Sequence, residues 1–309
     1  MVLSLGDGCL LIDVFIKIRI ENMKRNFLNL LESQMSTFSK GQRLIAKYVI
    51  DNYDKAAYMT ASKLGAEVNV TESTVVRFAN ELGFEGYPDF QHSLQEYVRT
   101  KLTSFQRIEV TNNLLGDSDI LTKVLVADSD NIRHTLEGLD RDEFETSVDK
   151  IINAKNVYIL GVRSSSYLAG FLSYNLNMIF DNVRLVQTTS GNEMFEQIMN
   201  IGEDDVMIGI SFPRYSKRII NAVDYAKSKG ANVIAISDSE LSPIAHQADH
   251  VLVAKNEMVS FVDSLAAPMS LINAIIVAIA KKKQDELSVR LRRLEEIWDE
   301  YDVYDKTLG

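Results

Sequence analysis

Val157-Tyr-Ile-Leu-Gly-Val-Arg-Ser-Ser-Ser-Tyr-Leu-Ala-Gly170 holds a strand, a turn and the start of a helix in one short run. Val157 to Leu160 is apolar, β-branched and aromatic, the composition of a strand buried on both faces of a parallel sheet. Gly161 ends it. After Ser164, Ser165 and Ser166, leucines recur at 168, 172 and 176 with helical spacing. A glycine turn and hydroxyls ahead of a helix make an anion site. The first helical N–H groups lack intrahelical partners, the dipole is positive there, and serine hydroxyls add donors. Phosphate fits such a site. The plainer alternative is that the serines cap the helix.

Outward from this run the chain alternates. Strand patterns fall at Val157–Leu160, Val183–Val186, Val206–Ile210, Val233–Ile236 and Val251–Val253. Helical patterns lie between them at about Ser165–Phe180, Glu193–Ile201, Lys217–Lys229 and Ser264–Lys283, with a short turn of helix near Pro243–His246. Such alternation predicts a five-stranded parallel sheet covered on both faces, a three-layer αβα arrangement. Right-handed crossovers suggest the order 2-1-3-4-5, with a switch point between strands one and three where ligands bind. The loop after strand three, Ser211-Phe-Pro-Arg-Tyr-Ser216, again combines hydroxyls with one arginine ahead of a helix. The candidate anion site is therefore Gly161, Arg163, Ser164, Ser165, Ser166, Ser211, Arg214 and Ser216. Thr188-Thr-Ser-Gly191 after strand two is a further candidate to meet a sugar, or a helix cap.

The chain of 309 residues has room for about two domains. One cysteine, Cys9, excludes an internal disulfide framework and a multi-cysteine zinc site. No metal or other cofactor is expected. The net charge of −10 is uneven: residues 24–107 carry 11 Lys and Arg against 9 Asp and Glu, whereas residues 108–309 carry 20 against 31. The larger part is too acidic for non-specific nucleic-acid binding, and the smaller is free to bind DNA.

Residues 1–22 read as an extension outside the folded domains, with Met23 as the usual start, or alternatively as an ordered arm. Cys9 to Ile20 is apolar but interrupted by Asp13, Lys17 and Arg19, so it is too short and charged to span a bilayer. It also lacks the plan of a secretory signal. A cytoplasmic protein with no membrane partner is expected.

From Lys24 to Ser104 the pattern is helical throughout. Phe27, Leu30, Leu31 and Met35 mark a first helix; Ser39-Lys-Gly-Gln42 is a capping box ahead of Leu44, Ile45, Tyr48 and Val49. Thr60 precedes a short helix, Ala61–Glu67, and Val68-Asn-Val70 leads to Thr71, expected to cap a helix from Glu72 to Leu82. Two short helices joined tightly, the second amphipathic, are the arrangement of a helix-turn-helix, or of an ordinary helical hairpin with a solvated face. Val75, Ala79 and Leu82 share its inner face. Thr71, Ser73, Thr74, Arg77 and Asn80 are left as candidate DNA-binding residues, small hydroxyls for phosphates and an arginine able to fork onto guanine. Pro88 suits the first turn of another helix carrying Phe90, Leu94 and Tyr97.

The run Thr71-Glu-Ser-Thr-Val-Val-Arg-Phe-Ala-Asn-Glu-Leu-Gly-Phe-Glu-Gly-Tyr-Pro-Asp-Phe90 resembles the N-terminal domain of RpiR-type transcriptional regulators, and the resemblance spans about Phe27 to Ser104. In that family the helix-turn-helix precedes a SIS (sugar isomerase) domain that binds phosphosugars, and residues from Thr146 to Lys283 are similar to one. The usual second-loop pattern, Ser-x-Ser-Gly-x-Thr, aligns with Ser211 to Ser216. There Ser211 matches, Ser216 stands for the threonine, and Pro213 and Arg214 replace the Ser-Gly pair.

The resemblance implies an all-α helix-turn-helix domain at 23–104 and a linker with connecting helix at 105–139. An α/β SIS domain at 140–285 and a C-terminal helix at 286–309 would follow. Thr111–Ser118 looks like the linker, with Gly116 and several short polar residues, and helical patterns Ile120–Leu139 and Arg141–Ala154 are apolar at Val124, Leu125, Ile132 and Leu136, then Phe144, Val148, Ile151 and Ile152. The implied function is a sugar-phosphate-responsive regulator of carbohydrate-metabolism genes that binds double-stranded operator DNA. The rival is a phosphosugar isomerase with an accessory helical domain; a third reading is an oligomerisation module with a vestigial pocket. Isomerisation needs a base at the sugar carbons, and the candidates Glu193, His246, His250 and Glu257 sit in no catalytic pattern, so no catalytic residue is assigned. Ser264–Ala280 is apolar nearly all round. Leu287, Leu291, Leu294 and Trp298 form a further packing stripe, which with the two-fold logic of helix-turn-helix proteins predicts a dimer or tetramer.

Overall fold

The computed structural model describes residues 27–101, 107–108, 119–187, 190–257 and 262–304. The chain divides into two compact units, Met1–Leu114 and Leu115–Gly309. The extension at 1–22, the linker around Gly116, and Thr188 and Thr189 lie outside the described residues.

The first unit holds α1 (Phe27–Gln34), α2 (Lys40–Asp51), α3 (Tyr53–Ala56), α4 (Ala61–Glu67), α5 (Glu72–Glu81) and α6 (Tyr87–Lys101). The capping box forms as expected: Gln42 N–H donates to Ser39 Oγ while the Ser39 N–H donates to Gln42 Oε1. Thr60 caps α4 by accepting from the Lys63 N–H at 3.2 Å. A chain of aromatic rings fills the core, Phe38 on Phe78 and Phe78, Phe84 and Tyr87 on Phe90, with centroids 5.2 to 5.8 Å apart. The Tyr87 hydroxyl donates to the Met59 carbonyl at 2.6 Å, and burial pushes its pKa up to about 12. Gly83, at φ +85°, ends α5. Phe84 N–H then reaches back to the Ala79 carbonyl and Gly83 N–H to Asn80, the paired bonds of a left-handed helix stop.

The second unit holds α7 (Ile120–Gly138), α8 (Arg141–Asn153), β1 (Val157–Gly161), α9 (Ser165–Asn177), β2 (Val183–Val186), α10 (Gly191–Ile198), β3 (Val206–Ile210), α11 (Lys217–Ser228), β4 (Asn232–Ser237), β5 (His250–Val253), α12 (Ala266–Lys282) and α13 (Gln284–Glu300). A 3₁₀ turn at Ala245–Gln247 precedes β5. All strand pairs are parallel, in the order β2-β1-β3-β4-β5. Successive side chains of β1 point to opposite layers. Val157 and Ile159 join a core with α8, α9 and α12, whereas Tyr158 and Leu160 join one with α10 and α11. The sheet is thus covered on both faces.

Two helices of this unit leave apolar residues half-buried or exposed. On α7 the buried residues are Asn131 and Thr135, whereas Leu125, Ile132 and Leu136 are exposed. The cause lies in the segment after β5, whose backbone would otherwise lack partners. Asn131 Nδ2 donates to the Glu257 carbonyl at 3.1 Å, and its Oδ1 accepts from the Glu257 N–H at 3.0 Å. Thr135 Oγ1 accepts from the Lys255 N–H at 2.8 Å. The stripe Leu287, Leu291, Leu294 and Trp298 is only half-buried, and α13 has no fully buried residue. Arg290 ties it down by donating to Asp181 Oδ1 at 2.6 Å and to the Asn177 carbonyl. Among the described residues, no helix is long and apolar enough to cross a membrane.

Candidate functional site

Each unit carries one candidate site. In the first, α4 and α5 meet through Gly65. A Cβ there would lie 2.8 Å from the Val70 carbonyl oxygen and 3.4 Å from the Glu72 nitrogen. Only glycine lets the turn pass that close, and Asn69 at φ +55° completes it. Sequence periodicity gave no sign of this contact. On α5, Val75, Phe78 and Ala79 are buried, and Ser73, Arg77 and Asn80 are exposed with Thr74 half-buried. Phe78 joins the inner face already expected of Val75, Ala79 and Leu82.

Thr71 occupies the N-cap position but makes no side-chain cap bond. Its hydroxyl lies 2.9 Å from both Ser73 Oγ and Thr74 Oγ1, which compete for it with the helix N–H groups. The result is a cluster of three hydroxyls at the tip of the helix. One turn on, Arg77 Nε donates to the Ser73 carbonyl at 3.3 Å, with its guanidinium exposed. A groove of about 550 Å³ runs beside this face, lined by Ser39, the N-cap of α2, and by Gly41, Thr71, Thr74, Arg77 and Glu81.

In the second unit, β1 and β3 are neighbours with Gly161 opposite Ile210. The loops Val162–Ser164 and Ser211–Ser216 therefore leave the same end of adjacent strands. Gly161 is where α9 presses on β1: a Cβ would lie 2.2 Å from the Ser165 carbonyl oxygen and 3.0 Å from Ala169 Cβ. Ser165 is buried at 4% exposure, whereas Arg163, Ser164 and Ser166 are exposed. The serines do not cap α9. Ser164 makes no side-chain cap bond, because it already has helical backbone angles and its side chain cannot turn back along the axis as an extended N-cap does. Ser166 Oγ instead donates to the Arg163 carbonyl at 2.6 Å, closing the turn.

The second loop is built otherwise. Ser216 caps α11, its Oγ accepting from the Arg218 N–H at 3.3 Å, which leaves its own proton to be donated. Ser211 is 3% exposed, and its carbonyl accepts from Ser237 Oγ at 2.7 Å. The Tyr215 hydroxyl donates to Asp238 Oδ1 at 2.9 Å, a brace from the end of β4 that sequence reading missed. Arg163 and Arg214 both have positive φ.

Ser190 caps α10 by accepting from the Glu193 N–H at 3.2 Å. Gln197 ties α10 to the end of β2, its side chain bonding both the N–H and the carbonyl of Gln187 at 2.8 Å. His250 opens β5, at the end of the strands away from the two loops, with its Nδ1 3.2 Å from Glu143 Oε1. Glu257 has its backbone bound by Asn131. Among the described residues, no cluster of His, Cys, Asp and Glu could hold a metal ion.

Comparison with known proteins matches both units. The profile of the helix-turn-helix domain of the rpiR family fits residues 25–101, and that of the SIS domain fits residues 150–278. An HTH-type transcriptional regulator of Haemophilus influenzae is 29% identical over 236 residues, covering 75% of this chain and 81% of its own length. The HTH-type transcriptional regulator HexR of Escherichia coli is 26% identical over 235 residues, covering 72% and 75%. Among solved structures, the sugar isomerase domain of an RpiR transcription factor from Sphaerobacter thermophilus superposes with a TM-score of 0.56 at 28% identity. It covers 58% of this chain and 99% of that one. The NanR protein of Vibrio vulnificus, solved with ManNAc-6P, gives 0.55 at 21% identity, covering 89% and 98%.

Proposed function

We propose, from the premise that the chain is an RpiR-family transcriptional regulator built of a helix-turn-helix and a SIS domain, that it reads operator DNA with α5 and senses a sugar phosphate at the loops closing β1 and β3. Residues 23–104 are the DNA-binding part and 140–285 the sensor. The genes it controls serve carbohydrate metabolism, and it works in the cytoplasm.

The observation that carries the sensor reading is the pairing of two hydroxyl-bearing loops, each with an arginine, at the same end of adjacent strands. A phosphate there meets the N-termini of α9 and α11, the Ser164–Ser166 turn and the Ser216 hydroxyl. Arg163 and Arg214 add charge-assisted donors. The complex of Vibrio vulnificus NanR with ManNAc-6P supports a sugar phosphate as the class of ligand. For α5, the exposed Ser73, Arg77 and Asn80 are suited to base edges, and the hydroxyls at its tip to phosphates.

The chain is a sensor without chemistry. His250 is engaged by Glu143 at the far end of the sheet, and Glu193 lies in the first turn of a capped helix, where its charge complements the dipole. Self-association is part of the same reading. Leu121, Leu125, Ile132 and Leu136 line the exposed side of α7, and Tyr167, Phe171 and Tyr174 that of α9. Such stripes mark interaction surfaces.

A thermal-shift panel of hexose, pentose and amino-sugar phosphates, run beside a turnover assay on each binder, tests the reading. A stabilising sugar phosphate that is not converted is the expected result. Conversion of a bound phosphosugar would make the isomerase alternative correct, and no shift with any member would leave an oligomerisation module.

A further inference from the structure

One buried polar residue beside α5 does more than cap its own helix. Gln42, the third residue of α2, is 7% exposed and uses its whole side-chain amide. The oxygen accepts from the Ser39 N–H at 2.9 Å, completing the capping box. The nitrogen donates to Glu81 Oε2. Glu81 is the last residue of α5, and with Thr74 and Arg77 it follows helical i, i+3, i+7 spacing, so the three form one stripe along that helix. The stripe is one wall of the groove, and the N-terminus of α2 is the other. Gly41 lies against Thr74, where a Cβ would be 3.4 Å from Thr74 Cγ2. α2 therefore holds α5 at two points, about two turns or ~10 Å apart.

Glu81 is badly placed for any independent task. A carboxylate at a helix C-terminus opposes the dipole, and beside a DNA groove it repels phosphates. We infer that the Gln42–Glu81 bridge is a positioning device for DNA recognition, fixing the rotation of α5 against α2 so that Ser73, Arg77 and Asn80 meet the bases in register. The inference rests on the proposed reading of DNA by α5.

Two consequences of Glu81 have opposite signs, which makes the test sharp. A duplex is first selected from a random library by the wild-type full-length chain. Affinities of variants for that duplex and for a random-sequence duplex are then measured at one salt concentration, with melting temperatures alongside. Glu81→Gln removes the charge but keeps an acceptor for the Gln42 amide, so it should bind the selected duplex at least as tightly as wild type. Glu81→Ala removes the same charge together with the acceptor. It should bind random DNA as well as Glu81→Gln does, yet lose roughly 5- to 10-fold on the selected duplex.

If Glu81→Ala equals or exceeds Glu81→Gln on the selected duplex, Glu81 is only a repulsive rim charge and the inference falls. Should Glu81→Ala fail to fold, Gln42→Glu answers the same question, since glutamate preserves the capping box but sets carboxylate against carboxylate. It should lower the ratio of selected to random affinity, and adding Glu81→Gln should restore that ratio. A uniform drop on both duplexes is charge alone and overturns the inference. A library that yields no enriched duplex removes the DNA reading itself, and the inference with it.

Discussion

Arg163 and Arg214 both have positive φ, +59° and +67°, in loops leaving the same end of two adjacent strands. For an L-residue the left-handed region costs about 1–2 kcal/mol, and Arg214 stands where the SIS loop pattern carries glycine. Such strain persists where surrounding structure enforces it and clusters at functional sites.

Replacing either arginine with glycine should therefore separate stability from sensing. Strain relief of about 1–2 kcal/mol is partly offset by the greater unfolded freedom of glycine, about 0.5–1 kcal/mol. Arg163→Gly and Arg214→Gly should melt, without ligand, at or slightly above the wild-type temperature. The stabilisation given by a sugar phosphate that shifts the wild type should shrink in both. Calorimetry with and without that ligand decides it; an unchanged ligand shift in both variants would remove the arginines from the site.

Gly161→Ala should act in the opposite way, through packing alone. The added Cβ meets a backbone oxygen at 2.2 Å, which cannot rotate aside as a side chain would. Overpacking of this kind costs about 1–3 kcal/mol, and Gly170→Ala, with nothing within 4 Å, is the control. Denaturant midpoints should fall for the first substitution and not for the second.

The five strands were legible in the sequence because they are short, β-branched runs alternating with helical patterns, with β1 and β3 buried throughout, and their order followed from right-handed crossovers. Helix boundaries came within a few residues. What could not be read was set by contacts between distant segments. The approaches at Gly65 and Gly161 depend on where another backbone passes. The positive φ of Arg163 and Arg214 contradicts local preference. The inward turn of Asn131 and Thr135 answers unpaired groups at Lys255 and Glu257, more than a hundred positions away. Amphipathic spacing says that two faces of α7 differ; it does not say which one meets α12 and the segment after β5.

That reversal on α7 yields a paired prediction. Asn131→Leu should destabilise the fold, since it removes two hydrogen bonds to the Glu257 backbone at about 0.5–1.5 kcal/mol each. Leu125→Glu with Leu136→Glu changes exposed positions and should alter monomer stability by no more than about 0.5 kcal/mol each. If the apolar side of α7 meets another copy, the double variant should sediment as a smaller species than wild type at equal concentration. Identical sedimentation would move the interface to another face.

Arg77→Ala tests the recognition helix. A bidentate base contact contributes about 1–3 kcal/mol of discrimination, so affinity for a selected duplex should fall by that amount while random DNA binding changes little. Equal weakening on both duplexes, with a smaller salt slope, would assign Arg77 to a phosphate. No change on either would take α5 out of the groove.

The final prediction concerns coupling between the two activities. A sugar phosphate bound in the second unit can alter DNA affinity only by binding the DNA-competent and incompetent states unequally. Coupling free energies are typically about 1–3 kcal/mol, so a saturating ligand should change affinity for a selected duplex roughly 5- to 150-fold. Substituting alanine at Ser165 and Ser216 together should abolish that response. Only the Ser216 cap is lost from the ligand-free fold, at about 0.5–2 kcal/mol, so the double variant should still unfold cooperatively. Reciprocity gives the stricter check, because bound DNA must change sugar-phosphate affinity by the same factor, measured by titrating ligand into protein with and without the duplex. A ligand that binds tightly while DNA affinity stays fixed in both directions would end the sensor reading and favour the isomerase.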